Sequence, residues 1–194
     1  MDPRVSEPPT SQRTEGERHW LQRFQAGDEA AFQPLVRPHL PALLALARRH
    51  CRDPHWAEDL VQETLVRAFQ HLASFRGEAA VRTWLFRILV RLATEPQRWA
   101  RGHAAEPIGD REIPDHYEDV ATRDAIAREL QDRLDEAMER LTLRQRTALH
   151  LRAVEGLDYE TIGGVLSCTA VAARMHVLEA RRKVMARLQE HLEP

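Results

Sequence analysis

Between Gly102 and about Ala127 the apolar residues follow neither a helical nor a strand period. This stretch, which includes GHAAEPIGDREIPDHYEDV, combines proline, glycine and acidic residues. Residues 102–140 hold twelve acidic residues against five arginines, a net charge of −7. Such runs, without a hydrophobic face, are typically solvated. The sequence therefore predicts an acidic flexible linker over residues 102–127, with a separate folding block on each side of it.

Both flanking blocks show helical periodicity, and no strand pattern occurs in the sequence. Helix boundaries are marked by Gly27, by the N-cap candidates Asp28, Asp53 and Asp158, and by Pro96. We therefore predict an all-α fold with two small helical domains. The predicted ranges are a disordered tail over 1–17, a first domain over 18–101, the linker over 102–127 and a second domain over 128–194.

The composition excludes several classes of protein. The 194 residues carry a formal net charge of −2, so a nucleic-acid surface has to be a local patch. Two cysteines make no disulfide framework, which fits a reducing cytoplasm. No apolar run approaches the roughly 20 residues that span a bilayer, and the N-terminus lacks the apolar core of a signal peptide. We therefore predict a cytoplasmic protein without membrane insertion of its own.

Catalytic and metal-binding patterns are missing from the sequence. It has no Ser/His/Asp arrangement and no phosphate-binding glycine-rich loop. His50, Cys51 and His55 are close in sequence, but no second pair of metal ligands is near them. We predict neither enzymatic activity nor a bound cofactor or metal.

The second block has the layout of a helix-turn-helix: DYETIGGVL is a short helix, SCT a turn and AVAARMHVLEARRKVMARLQEHL a longer helix. The stripe predicted to be buried in the last helix is Ala170, Ala173, Val177, Ala180 and Val184. Residues 174–187 hold five arginines and lysines against Glu179, a net charge of +4. This charge suits phosphate, although the helix dipole also favours basic residues near a helix end.

Two further patterns lie in the first block. Residues 79–101 hold five arginines against Glu95, a net charge of +4, and Trp84, Phe86 and Trp99 lie among them. Arginine beside aromatic rings suits unstacked nucleic acid, but aromatic residues in a helix are also typical of a core.

The preceding helix, WAEDLVQETLVRAF, places Asp59, Gln62 and Glu63 one turn apart. These residues fit either a solvated face or a docking surface for a basic partner. The apolar residues of this helix that we expect to turn inward are Leu60, Leu65, Val66 and Phe69.

Three motifs together carry a resemblance to a known family. They are AEDLVQETLVRAF, FRGEAAVRTWL and RQRTALHLRAVEGLDYETI, and they are collinear. The longer stretches around them resemble the second and fourth conserved regions of bacterial sigma factors of the extracytoplasmic-function (ECF) group, over most of residues 28–190.

The resemblance implies a role for each patch. Asp59, Gln62 and Glu63 would dock on a basic coiled coil of core RNA polymerase. The motif FRGEAAVRTWL would capture a flipped base of the promoter's minus-ten element, with the binding residues Arg76, Arg82, Trp84, Arg87 and Arg91. The last helix would read the minus-thirty-five element of promoter DNA, with the binding residues Arg174, Met175, His176, Arg181 and Arg182. The resemblance also implies an anti-sigma factor as a partner.

The sequence departs from the family pattern in both domains. Arg91 stands where these proteins usually have asparagine, and Pro96 interrupts a basic run. In the last helix Met175 and its apolar neighbours Ala172 and Leu178 would be exposed, with Glu179 on or beside the DNA-facing side. Two alternatives therefore stay open: a stand-alone helix-turn-helix regulator of duplex DNA, and a sigma-like interaction protein with weakened DNA binding.

Overall fold

The structure is a computed structural model, and it describes residues 15–51, 53–95, 133–134 and 136–189. The predicted linker over 102–127 lies outside the described residues, as do residues 1–14 of the predicted tail. Within the described part of the chain every regular element is a helix, as predicted. No single helix there is both long and apolar enough to cross a membrane.

The first domain contains five α-helices among its described residues. They are α1 (Glu15–Gln25), α2 (Phe32–Val36), α3 (Leu40–Arg48), α4 (Pro54–Leu72) and α5 (Val81–Ala93). The predicted N-caps Asp28, which precedes the 3₁₀ helix Glu29–Ala31, and Asp53, which precedes α4, are confirmed, while the predicted boundary at Pro96 lies outside the described residues. The Asp28 carboxylate accepts a hydrogen bond from Ala30 N at 3.1 Å, and the Asp53 carboxylate accepts one from His55 N at 2.8 Å. Each bond satisfies a backbone N–H at a helix start that has no partner within the helix.

The first helix begins earlier than the sequence predicts. α1 starts at Glu15, inside the range assigned to the disordered tail. Glu15 and Glu17 lie in its first turn, where a negative charge interacts favourably with the helix dipole. Those two acidic residues therefore belong to the helix.

Helices α3, α4 and α5 enclose the core of the first domain. Leu43, Leu46, Leu85, Phe86 and Leu89 are each fully buried. Phe86 is therefore a core residue, and this resolves one of the two roles that its sequence context allows.

The described residues of the second domain include three further helices: α6 (Leu143–Ala153), α7 (Tyr159–Leu166) and α8 (Ala170–Gln189). A helical turn over 136–139 precedes them. Helices α7 and α8 meet at 96°, within the range typical of a helix-turn-helix. The turn between them is tight: a Cβ on Gly163 would lie 2.7 Å from the Cys168 carbonyl oxygen. Glycine is thus required where the turn folds back on α7.

Four of the five residues predicted for the buried stripe of α8 are buried, namely Ala173, Val177, Ala180 and Val184. Ala170 is exposed, so its assignment to the stripe is wrong. Ala170 is the first residue of α8, and a helical Cβ tilts toward the N-terminus. Its side chain therefore points past the start of the helix.

The two domains pack against each other, which no sequence pattern predicts. α5 contacts α7, and one apolar cluster joins Leu89 and Val90 of the first domain with Ile162 and Val165 of the second. Polar contacts surround it. The Arg146 guanidinium donates to the Arg49 carbonyl oxygen at 3.0 Å, across 97 positions of sequence. The described structure is thus a closed arrangement of the two domains.

Candidate nucleic-acid and protein interfaces

The acidic and amide residues of α4 form an exposed face. Asp59 and Gln62 are exposed, while Glu63 is partly buried and its Oε1 lies 3.0 Å from Arg67 Nε, one turn further along α4. The opposite side of the helix is buried through Leu60, Thr64 and their neighbours. Thr64 donates a hydrogen bond to the Leu60 carbonyl oxygen at 2.7 Å, which satisfies its buried hydroxyl.

Val66 belongs to this exposed face, and the expectation that it turns inward is wrong. It is 50% exposed, because it lies two residues beyond the buried Thr64 and so about 200° around the helix. Positions 59, 62, 63 and 66 follow the i, i+3, i+4, i+7 spacing of one helix face. The face therefore has an apolar centre with polar neighbours, and that spacing was the signal that could have identified Val66.

The Phe69 side chain, which was expected to turn inward, is 37% exposed and so is only partly buried. Its ring makes edge contacts with Phe24 and Phe32, at centroid distances of 5.3 and 5.2 Å. Leu60 is buried and Leu65 is partly buried against the core, as expected.

A loop over residues 73–80 connects α4 and α5, and it forms one wall of a cavity of about 320 Å³. Phe75 is buried at its base. Its carbonyl oxygen accepts a hydrogen bond from Gln25 Nε2 at 2.9 Å, and its ring lies 4.8 Å from that of Trp84. Gly77 has a φ of 73°, which glycine adopts without strain. These contacts fix the loop over the edge of the cavity.

The cavity brings together three of the five predicted minus-ten residues: Arg76, Trp84 and Arg87 all line it. Arg91 is exposed one turn beyond Arg87 on α5. The cavity therefore presents an aromatic ring and guanidinium groups at one opening, which is a suitable environment for an unstacked base and its phosphate.

Arg82 is placed differently from the other four. It lies on α5, and its guanidinium forms an ion pair with the Glu155 carboxylate of the second domain. Arg82 is 40% exposed but Glu155 only 3%. Burial lowers the pKa of Arg82, and the guanidinium lies 5.6 Å from the centre of the Phe86 ring. Arg82 thus lies near the surface of the first domain but is paired, and the sequence gives no signal of this pairing because Glu155 is 73 positions away.

Helix α8 exposes four of its five predicted binding residues, Arg174, Met175, Arg181 and Arg182. His176, which was expected to point into solvent, is only partly exposed. It lies about 60° around the helix from the buried Ala173, at the margin of the packed side.

Glu179 also turns away from the exposed face of α8. Its Oε2 accepts a hydrogen bond from Gln145 Nε2 at 2.8 Å. The other amide atom of Gln145, Oε1, accepts from Lys183 Nζ at 3.0 Å and from Thr142 N at 3.2 Å. Gln145 thus holds the carboxylate against α6, and the expectation of a carboxylate directed at DNA is corrected accordingly.

Two histidines lie in the contact between the domains. The pKa of His50 is lowered to about 4, mainly by burial and further by Arg146 and His150. The pKa of His150 is also lowered to about 4, mainly by burial and further by Arg49 and Arg82. Both side chains are therefore neutral near pH 7.

None of the described residues forms a group of three or more His, Cys, Asp and Glu side chains placed to hold a metal ion. His50, Cys51 and His55 are close in sequence, but His50 contacts a hydroxyl: its Nε2 lies 3.1 Å from the Thr147 oxygen.

Comparison with known proteins assigns both domains. Residues 35–102 match the model of Sigma-70 region 2, and residues 131–184 match that of Sigma-70 region 4. The RNA polymerase sigma-H factor of Pseudomonas aeruginosa is 32% identical over 184 residues, covering 90% of this chain and 95% of the relative. The ECF RNA polymerase sigma-E factor of Haemophilus influenzae is 30% identical over 178 residues, covering 87% and 93%. The chain belongs to the ECF sigma factors.

Solved structures support the fold of this sigma factor. CnrH, solved in complex with the cytosolic domain of CnrY, matches with a TM-score of 0.65 and 24% identity, over 91% of this chain and 99% of that one. The sigma factor RpoE of Bartonella quintana, solved with the anti-sigma factor NepR, matches with a TM-score of 0.60 and 24% identity, over 81% and 96%. The sigma factor thus has a region 2 and a region 4 domain, helical throughout their described regular elements, and its family acts in transcription initiation.

Proposed function

We propose that this sigma factor binds core RNA polymerase through the exposed face of α4. The observation that carries the proposal is the position of Val66 among Asp59, Gln62 and Glu63. An apolar centre can be desolvated by a partner helix, while surrounding acidic groups select a basic partner and guide its approach. The docking helix lies within the region 2 match.

We further propose that the cavity beside the 73–80 loop receives a base from the melted strand of the promoter. Trp84 would stack on the base, and Arg76 and Arg87 would contact its phosphates. Extrusion of a base costs a few kcal/mol, which stacking and phosphate contacts of this kind can offset. Arg91 extends the basic surface along α5.

In the second domain, α8 would lie in the major groove of the minus-thirty-five element. The 96° angle between α7 and α8, together with the exposed Arg174, Arg181 and Arg182, supports this role. Met175 and His176 complete the proposed DNA-contacting set. The chain itself would perform no catalysis, and it would act in the cytoplasm, where the polymerase is.

An anti-sigma factor is a further proposed partner. Two proteins with the same fold, CnrH and the sigma factor RpoE, were each solved with another protein bound, and NepR is an anti-sigma factor by name. The domain division into 18–101, 102–127 and 128–194 is also part of the proposal, with the linker allowing the two domains to reach separate promoter elements.

A pair of charge reversals on α4 tests the proposal. Asp59→Lys with Glu63→Lys should weaken binding to core polymerase by about tenfold or more, since two favourable contacts with a basic partner become repulsive. Glu15→Lys with Glu29→Lys is the matched control, because it makes the same change of net charge at two exposed residues outside α4. Affinity is measured by a fluorescence titration, and circular dichroism checks that each variant is folded.

Equal affinities of the double variant and the control for core polymerase would exclude this face as the docking surface. Run-off transcription then separates the proposed function from both alternatives. A stand-alone DNA-binding regulator would not confer promoter-dependent transcription on core polymerase, and neither would an interaction protein that has lost DNA binding.

A further inference from the structure

The side of α8 opposite its buried stripe is apolar, although it is exposed. Val171, Met175 and Leu178 are 73%, 48% and 45% exposed. They follow i, i+4, i+7 spacing and so form one line along the first half of the helix. The helix of a soluble protein usually has polar residues on the side opposite its buried stripe. The exposed line of apolar side chains on α8 therefore indicates a binding surface.

Basic residues adjoin this line on one side and at its end. At about 100° per residue, Arg174 and Arg181 lie to one side of the line, and Arg182 continues it toward the C-terminus of the helix. All three arginines are exposed. On the other side, Glu179 and Lys183 are both hydrogen-bonded to α6 and so are held against that helix. The exposed surface therefore has an apolar centre with a basic margin on one side and a basic end.

These dimensions and charges fit the major groove. The groove is about 12 Å wide, close to the diameter of a helix with its side chains, so the flanks of an inserted helix approach the two phosphate backbones. The centre of the helix faces the base edges. Among the groups on those edges, the thymine 5-methyl is the apolar one, whereas an amino or carbonyl group buried against an apolar side chain would lose its hydrogen bond to water.

We propose that Val171, Met175 and Leu178 contact thymine 5-methyl groups in the duplex promoter element and make this sigma factor selective for thymine there. The inference rests on the proposed function, in which α8 enters the major groove. A protein partner with an apolar helix is the alternative occupant. The basic margin and basic end of this surface, together with the right-angled helix-turn-helix, favour duplex DNA.

The test uses the full chain bound to core polymerase. Duplexes are first selected from a randomised pool, and the selected sequences are then synthesised with deoxyuridine in place of individual thymines. Deoxyuridine pairs as thymine does but lacks the methyl group. Each contacted methyl should contribute about fourfold in affinity, the value of burying one such group. Replacement outside the protected region should have no effect.

Two variants connect the methyl effect to the side chains. Met175→Ala should bring the thymine-to-deoxyuridine affinity ratio close to one at the position that Met175 contacts. Met185→Ala is the matched control: Met185 is also an exposed methionine of α8, but it lies about 21 Å along the helix from Val171 and should leave every ratio unchanged.

The outcomes distinguish this inference from the proposed function. Selected duplexes that bind equally well with thymine and deoxyuridine, or that contain no thymine in the protected element, would overturn the inference alone. They would favour the alternative occupant, a protein partner, for the apolar line. If the holoenzyme selects no sequence that core polymerase alone does not also select, the proposed function is overturned, and the inference with it. A methyl effect that disappears in Met175→Ala and persists in Met185→Ala is the expected result.

Discussion

Lowering the pH from about 7.5 to about 5 should destabilise the closed arrangement of the two domains, because His50 and His150 lie in their contact. The Thr147 hydroxyl donates a hydrogen bond to the Leu143 carbonyl oxygen at 2.8 Å, so it accepts one from the Nε2–H of neutral His50. The other ring nitrogen of His50, Nδ1, is buried and has no hydrogen-bond partner among the described residues. A proton added there would be a buried donor without an acceptor.

The charges around His150 oppose its protonation in the same way. Its Nε2 lies 3.5 Å from Glu155 Oε1, which favours a positive charge. Burial and the positive charges of Arg49 and Arg82 nevertheless lower the pKa to about 4. For His50, the positive charge of Arg146 lowers the pKa in addition to the effect of burial, and a charge on His150 would lower it further.

The sign and size of the effect follow from proton linkage. The pKa of each histidine is about 4 in the folded chain and 6.5 in the unfolded chain, so the unfolded chain takes up protons first as the pH falls. The stability due to the two neutral histidines is present above pH 6.5 and is lost progressively down to about pH 4. At pH 5 the pKa of each histidine in the unfolded chain is about 1.5 above the solution pH. The free energy of unfolding should therefore fall by about 2 kcal/mol for each histidine.

Urea unfolding at the two pH values measures this effect. The midpoint should fall with pH, and the variant His50→Gln with His150→Gln should lose most of that dependence. His39 is left unchanged in both proteins. Burial lowers its pKa too, so it contributes the same pH dependence to each of them. Small-angle X-ray scattering reports whether the domains separate before they unfold. A midpoint that is unchanged at pH 5, or an equal pH dependence in the double variant, would refute the assignment of neutral histidines to the domain contact.

Two backbone features give further predictions. Gly163→Ala should destabilise the second domain by about 1–3 kcal/mol in thermal unfolding, because the new Cβ meets a backbone oxygen at 2.7 Å. Gly164→Ala is its control, since the Cβ there meets only the end of the flexible Arg87 side chain. Equal losses of stability in the two variants would argue against the tight turn. Asp53→Ala should cost about 1 kcal/mol in urea unfolding through loss of the α4 N-cap, while Asp53→Asn should retain most of that stability.

Local features of the fold could be predicted from the sequence because each depends on residues a few positions apart. Asp53 caps the residue two positions ahead, and the Asp158 carboxylate accepts a hydrogen bond from Thr161 N at 2.7 Å. The helix-turn-helix was predictable for the same reason, since its turn and its buried stripe lie within one segment. The error at Ala170 came from extending a correct period to a helix end, where the side chain leaves the packed region.

The candidate sites were predictable only in part, since their final geometry depends on distant residues. The spacing on α4 identified Asp59 and Gln62, and it also contained Val66, which its apolar character led us to place inside. Glu179 was assigned to the DNA side by position alone. Its hydrogen bond to Gln145 spans 34 positions and has no signature in the sequence of α8.

Arg82 shows what the closed arrangement implies for the proposed promoter contacts. Its guanidinium pairs with Glu155, and the two groups come from different domains. Arg87 of the same helix lies so close to Gly164 that a Cβ there would be 2.8 Å from its Nη2. One guanidinium cannot pair fully with a buried carboxylate and with a phosphate at the same time, because both acceptors use the same N–H donors. If Arg82 contacts promoter DNA, its ion pair with Glu155 must therefore separate first, and the second domain must move away from α5.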